Sequence, residues 1–279
     1  MSKPIPKSHI LKIPPYEAGI SQLPKKKKII KLSSNESPYG AGNKVTKAYI
    51  AALAKLNRYP DSNCDKLKKA IAKKFSLDYK NIVYSNGSDE LITLIAKSFS
   101  GANDEILYTE HGFSYYRIAA IAAGSNTKIA KEVNCSVNVD NILKQVTKRT
   151  KIIFLANPGN PTGTYLALGE IKRLCDQLPK KILLVLDGAY AEFVDKNDYD
   201  PGIRLVKKYS NVIMIRTFSK IYGLSGLRLG WAYCSTEVSK ILNRVRNPFN
   251  VNTAAQEAGT AALKDTKFIK KIAEKNIKL

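Results

Sequence analysis

The chain has 279 residues, 44% of them hydrophobic, which is enough for one large core or for a large domain with a smaller companion. No apolar run approaches the ~20 residues of a membrane helix, and residues 1–11 lack the apolar segment of a secretory leader. The net charge of +23 comes from lysines spread along the whole chain, with one dense run at 25–28 and no zinc-finger spacing or RNA-binding aromatic motif. That distribution reads as solvated faces, so neither nucleic acid nor membrane is the expected partner, and no metal site is expected. Cys64, Cys135, Cys175 and Cys234 are scattered without a CxxC pair, as in reduced cytoplasmic proteins.

Residues 1–30 carry Pro4, Pro6, Pro14, Pro15 and Pro24 and read as an extended arm. Tyr16 on that arm either reaches a site or pins the arm to a surface. Lys31-Leu-Ser-Ser-Asn-Glu-Ser-Pro-Tyr-Gly40 is a loop dense in turn formers. Apolar spacing predicts helices over 43–56 and 65–75, separated by Asn57-Arg-Tyr-Pro-Asp61. A short strand over 81–85 runs into Asn86-Gly-Ser-Asp-Glu90, where Gly87 opens a helix with Ser88 near its cap and Asp89 and Glu90 in its first turn. This is either an ordinary capped helix or, through its free N–H groups, a phosphate site.

The middle of the chain alternates. Strands are expected over 105–108, 128–130, 151–156, 182–186 and 212–215, and helices over 114–123 and 171–178. Unbroken apolar strands separated by helices imply a mostly parallel sheet covered on both faces, an α/β fold. Ligands bind such sheets beyond the carboxyl ends of the strands. Three of those ends carry polar loops: Asn157-Pro-Gly-Asn-Pro-Thr-Gly163, Asp187-Gly-Ala-Tyr190, and Arg216-Thr-Phe-Ser-Lys-Ile-Tyr-Gly-Leu-Ser-Gly-Leu-Arg228. Read singly, Asp187 could be a helix cap, 157–163 a proline-rich turn and Lys220 one more solvated lysine.

Read together, they have a common chemistry. Lys220 can form a Schiff base with an aldehyde. Ser219 and Arg228 can hold a dianionic phosphate, the arginine by a forked pair of hydrogen bonds. Asp187 can pair with a protonated pyridine nitrogen, and Asn160 and Tyr190 can hydrogen-bond a phenolate oxygen. Aldehyde, phosphate, pyridine and phenolate together describe pyridoxal 5'-phosphate. Beyond residue 231 helices are expected at 238–245, 254–263 and 268–277, with no further strand.

With these motifs in view, the chain resembles the class-II aminotransferases of pyridoxal-phosphate fold type I, and within them the histidinol-phosphate aminotransferase group. The resemblance runs from about residue 15 to the end. It rests on Ser34-Asn-Glu-Ser-Pro-Tyr-Gly40, Asn57-Arg-Tyr-Pro-Asp61, Asn86-Gly-Ser-Asp-Glu-Leu91, the three loops above and Arg246-Asn-Pro-Phe-Asn-Val-Asn252. It implies a seven-stranded sheet sandwiched by helices, and transamination of histidinol phosphate with 2-oxoglutarate in histidine biosynthesis. An aromatic aminotransferase, a threonine-phosphate decarboxylase and an inactive remnant that only binds the cofactor are the alternatives.

In the site, the resemblance implies Lys220 as Schiff-base lysine, Asp187 on the pyridine nitrogen, and Asn160 and Tyr190 on the phenolate. Gly87, Ser88, Asp89, Ser219 and Arg228 would form the phosphate cup, and Phe113 would stack on the ring. Tyr59 would reach the phosphate held by a neighbouring subunit, which implies a homodimer. Tyr16 and Asn35 are the candidate substrate contacts. Two local departures stand out: Gly188 replaces the usual glutamate, and His111-Gly112 replaces a proline-threonine pair.

The expected organisation is an arm over 1–30, a large domain over 31–247 and the helical start of a small domain over 248–279. Relatives are expected to continue for about 80 residues, a size typical of compact modules, and that segment carries the arginine for the substrate carboxylate. The cleft of this chain is therefore expected to be open on one side and its turnover slow.

Overall fold

The computed structural model describes residues 4–15 and 30–279. Seven strands form one sheet: β1 (Ile82–Ser85), β2 (Glu105–Thr109), β3 (Asn126–Ala130), β4 (Thr150–Ala156), β5 (Leu183–Asp187), β6 (Val212–Thr217) and β7 (Gly230–Tyr233). Their order across the sheet is β1-β7-β6-β5-β4-β2-β3. The run from β3 to β6 is parallel throughout, and only β7 is antiparallel, to both β6 and β1. The mostly parallel α/β fold is therefore borne out.

The central strands are apolar at every position because both faces are buried. Ile153 and Leu155 of β4, Leu184 and Leu186 of β5, and Val212 and Met214 of β6 belong to one core. Their alternating neighbours Ile152, Phe154, Leu183, Val185, Ile213 and Ile215 belong to the other. This is the period of two expected for a pleated strand with a hydrophobic layer on each side.

Helices α1 (Asn43–Ala52), α2 (Asp65–Phe75), α5 (Val139–Gln145), α6 (Leu168–Gln177), α7 (Ile203–Lys208), α9 (Thr253–Lys264) and α10 (Thr266–Lys278) cover the first face. Helices α3 (Ser88–Phe99), α4 (Tyr115–Ala122) and α8 (Thr236–Val245) cover the second. The predicted helix over 43–56 ends at Ala52 and continues as a 3-10 turn, Leu53–Lys55. Short helices α5 and α7 and strand β7 lie where sequence patterning marked no element.

Residues 248–279, expected to begin a separate unit, place α9 against α1 and α2. Gly259 leaves no room for a side chain: a Cβ there would run into Leu229 and stand 3.3 Å from Leu67 and 3.6 Å from Phe218. Ala255, Ala258 and Ala262 carry the rest of that small-residue face into the core. Among the described residues no helix is long and apolar enough to cross a membrane.

Candidate active site

Strand order reverses at β2: β3 lies on one side of it and β4 on the other. A cleft opens beyond the carboxyl ends of the strands near this switch point, where parallel sheets bind ligands. It has a volume of ≈ 620 Å³ and brings together Ser88, Asp89, Phe113, Asn160, Asp187, Tyr190, Ser219, Lys220 and Arg228. An adjoining hollow of ≈ 690 Å³ shares Asn160, Tyr190 and Lys220 with it and is lined also by Asn35 and Tyr39.

Asp187 ends β5 and is 5% exposed. Its Oδ2 accepts the Tyr116 hydroxyl at 2.8 Å and its Oδ1 accepts the Ala189 N–H at 3.1 Å. The second bond is the local cap-like contact, so Asp187 closes its own turn while facing the cleft. Burial pushes its carboxyl up to about 6, although both hydrogen bonds and the Lys220 charge pull the other way. A buried carboxylate in this condition gains from any cation placed against it.

Lys220 stands three residues beyond β6. Its Nζ donates to the Ser34 carbonyl at 3.0 Å and lies 5.4 Å from the centre of the Tyr190 ring. Burial, and then the Arg228 charge, lower its ammonium below the ordinary lysine value, against the pull of Glu36 and Asp187. The free amine is thus more available here than on an exposed lysine. Tyr190 accepts a hydrogen bond from Asn35 Nδ2 at 3.0 Å, which ties the 31–40 loop to the cleft.

The anion cup forms where three elements meet. Gly87 (φ +89°) caps α3, whose first N–H groups have no partner within the helix. Glu90 reaches back to accept the Asn86 N–H at 2.5 Å, one residue before the cap. Arg228 Nη1 reaches Ser219 Oγ at 3.3 Å and the Ser225 carbonyl at 3.0 Å, and Nη2 donates to Asp89 Oδ1 at 2.6 Å. Any side chain on Gly87 would run into Arg228 and Asp89. A Cβ on Gly230 would stand 2.7 Å from the Ser88 nitrogen. Both glycines keep this cup open. What Asp89 offers an anion is its N–H at the start of α3, because its carboxylate is engaged by Arg228.

These residues fit pyridoxal phosphate. The cup has a guanidinium, two serines and a helix N-terminus for a dianion, and at the other end of the cleft a buried carboxylate lacks a full positive partner. Phe113 lines the cleft between them, its ring 5.8 Å from that of Tyr116 and perpendicular to it. Among the described residues no cluster of His, Cys, Asp and Glu could hold a metal.

One described candidate is not brought to this cleft. Tyr59 is 83% exposed and stacks on Phe249, with ring centres 4.7 Å apart. Tyr16 lies outside the described residues. Tyr116, in contrast, was not singled out from the sequence. It lies 71 residues from Asp187, and only a second aromatic three residues beyond Phe113 hinted at it.

The model of the family "Aminotransferase class I and II" matches residues 27–279. The chain is 50% identical over 268 residues to the histidinol-phosphate aminotransferase of Paramagnetospirillum magneticum, covering 96% of this chain and 74% of that relative. Against the enzyme of the same name from Rhodospirillum centenum the identity is 47%, with the same coverage. Among solved structures it resembles histidinol-phosphate aminotransferase from Sinorhizobium meliloti in complex with pyridoxal-5'-phosphate. That match has a TM-score of 0.84 and 28% identity, and covers 87% of this chain and 66% of that one. L-threonine-O-3-phosphate decarboxylase from Porphyromonas gingivalis shares the fold, at a TM-score of 0.72 and 24% identity over 82% of this chain and 70% of that one.

Proposed function

This chain belongs to the class I and II aminotransferases, pyridoxal-phosphate enzymes, and we propose that it transfers the amino group of histidinol phosphate to 2-oxoglutarate. The observation that carries this reading is the convergence of Asp187, Lys220 and Arg228, from three separate strand ends, on one cleft. The relatives near half identity are named for histidinol phosphate, whereas the decarboxylase and the aromatic aminotransferase are similar at 24% and 23% and share only the fold.

Bound pyridoxal phosphate supplies an aldehyde that joins to amines and a ring that takes up electrons. Ser88, Ser219 and Arg228, with the first N–H groups of α3, hold the phosphate. Asp187 holds the ring nitrogen protonated, and in doing so gains the cation its buried carboxylate lacks. Tyr116 keeps that carboxylate turned toward the cleft. Asn160 and Tyr190 would hydrogen-bond the cofactor's phenolate oxygen, and Phe113, which lines the same cleft, would pack on the ring. Lys220 would hold the cofactor through its amine, and as a free amine its Nζ would accept and return a proton at the substrate's α-carbon. Its lowered proton affinity leaves a larger share of free amine than an exposed lysine has.

Tyr59 and Phe249 present an aromatic pair on the surface, and Ile50, Leu53 and Leu56 in the preceding segment are exposed apolar residues. This supports a homodimer in which Tyr59 serves the partner's site. The free thiols of all four cysteines support a cytoplasmic setting.

The test is a single-turnover assay with pyridoxal phosphate bound. Histidinol phosphate is expected to discharge the visible band of the loaded chain to the pyridoxamine form, while phenylalanine does so only weakly. Preference for phenylalanine, or carbon dioxide release from phosphothreonine, would replace this reading with one of the alternatives.

A further inference from the structure

Tyr190 and Lys220 face the cleft, but the polar groups behind them do not. Arg216, in β6, is 3% exposed, and its Nη2 donates to Glu192 Oε1 at 2.6 Å. Its guanidinium lies 5.6 Å from the centre of the Phe75 ring. Tyr222 is 2% exposed, and burial and then the Glu192 charge raise its phenol well above the ordinary value. Gly188 leaves room for this arrangement: its N–H donates to the Ile215 carbonyl at 3.0 Å, and a Cβ there would stand 3.0 Å from Arg216 Cδ. None of Arg216, Glu192 or Tyr222 lines the cleft.

Their places in the chain give the cluster meaning. Glu192 lies two residues beyond Tyr190; Arg216 and Tyr222 flank Lys220, four residues before it and two after it. The ion pair therefore ties the turn after Tyr190 to β6, four residues before Lys220, and Tyr222 brings in the loop on the other side of it. An ion pair buried this deeply is a poor source of stability, since removing both charges from water offsets most of their attraction. What it specifies is geometry, because each charge accepts only the arrangement that keeps the other.

We propose that Arg216, Glu192 and Tyr222 are positioning residues that lock these two loops together and so set where Lys220 Nζ stands relative to Tyr190. The inference rests on Lys220 being the reacting amine, and its test is read without cofactor so that the two can fail separately.

The experiment is competitive acylation of the full cofactor-free chain across pH, with the Lys220 peptide quantified by mass spectrometry against the exposed Lys270. Glu192→Gln and Tyr222→Phe are compared with the parent; the second removes a single hydroxyl and leaves the ion pair in place. Both are expected to move the midpoint of the Lys220 profile up toward the ordinary lysine value, so that labelling at pH 8 falls about tenfold. Lys270 labelling stays constant. Glu105→Gln, which breaks the ion pair of another buried carboxylate, lowers the melting temperature without moving the profile. If Glu192→Gln and Tyr222→Phe likewise only lower the melting temperature and leave the Lys220 profile at the parent's, the cluster is structural and the proposal is wrong. Absence of a visible band when pyridoxal phosphate is added to the parent would count against the cofactor reading alone.

Discussion

Glu105 and Asp187 are both buried carboxylates on the same sheet, one where β2 begins and one where β5 ends. Since these strands run in the same direction, the two acids lie at opposite edges of the parallel run. Glu105 is fully served: Thr147 Oγ1 donates at 2.5 Å, Arg149 Nη2 at 2.9 Å and Nε at 3.2 Å. Burial works against its charge, but Thr147, Lys128 and Arg149 together hold its carboxyl below the ordinary value. Asp187 has one phenol and one N–H, and burial prevails, raising it to about 6. The partner set of a carboxylate is thus complete at one edge and incomplete at the other, where the acid is also the more deeply enclosed. The incomplete acid is the one that faces a cleft, and its missing partner is a cation.

The largest effect should come from the cleft itself. Lys220→Ala removes the amine that moves the proton, and turnover should fall by about 10²–10⁴-fold while the fold is retained. Circular dichroism and a rate measurement on the same sample check both halves.

Replacing each acid by its amide separates the two edges. Asp187→Asn should retain the cofactor yet lose most of the first half-reaction, because an amide does not hold the ring nitrogen protonated. The cofactor-free chain should also respond in stability. The folded carboxyl at about 6 binds its proton more tightly than an unfolded one at 3.8, so its contribution is complete below pH 3.8 and lost as pH rises through about 6. Linkage puts that loss at about 3 kcal/mol, so Asp187→Asn should stabilise the cofactor-free chain by up to that amount at pH 8. Glu105→Gln should do the opposite. Its stabilisation is present above the ordinary 4.5 and lost as pH falls through the lower folded value, so the amide should cost about 1–3 kcal/mol at neutral pH. Urea titrations at pH 8 and pH 4 decide between the two signs; equal responses would remove the contrast.

Arg228→Lys sharpens the comparison at the phosphate end. A lysine keeps the charge but cannot fork between an anion and Ser219, so pyridoxal phosphate affinity should weaken about tenfold, measured by equilibrium dialysis. The smallest effect concerns the lysine surplus. Duplex DNA should bind only weakly and lose that binding as salt is raised; tight, sequence-selective binding at physiological salt would overturn that reading.

Much of the sheet was legible because β4, β5 and β6 are buried on both faces and so read as unbroken apolar runs. β7 was not, since it is four residues long, begins with Gly230 and pairs antiparallel, so it reads as the tail of a glycine-rich loop. Helices α5 and α7, of 7 and 6 residues, bury only two side chains each and leave too short a periodic signal. In the site, Asp187 and Lys220 were legible because they stand at the ends of apolar strands, and Arg228 because it lies eight residues beyond Lys220 past a glycine-rich loop. Tyr116 and Glu192 were not: their partners Asp187 and Arg216 are distant in sequence, and the sheet alone brings them together.

The central claim is that Lys220 is the amine that holds the cofactor. Pyridoxal phosphate added to the full chain, followed by borohydride reduction and peptide mapping, tests it most directly. The account predicts a visible absorption band that disappears on reduction, with the phosphopyridoxyl group fixed on Lys220. A spectrum unchanged by the cofactor, or a label spread over other lysines while Lys220 stays free, would contradict it.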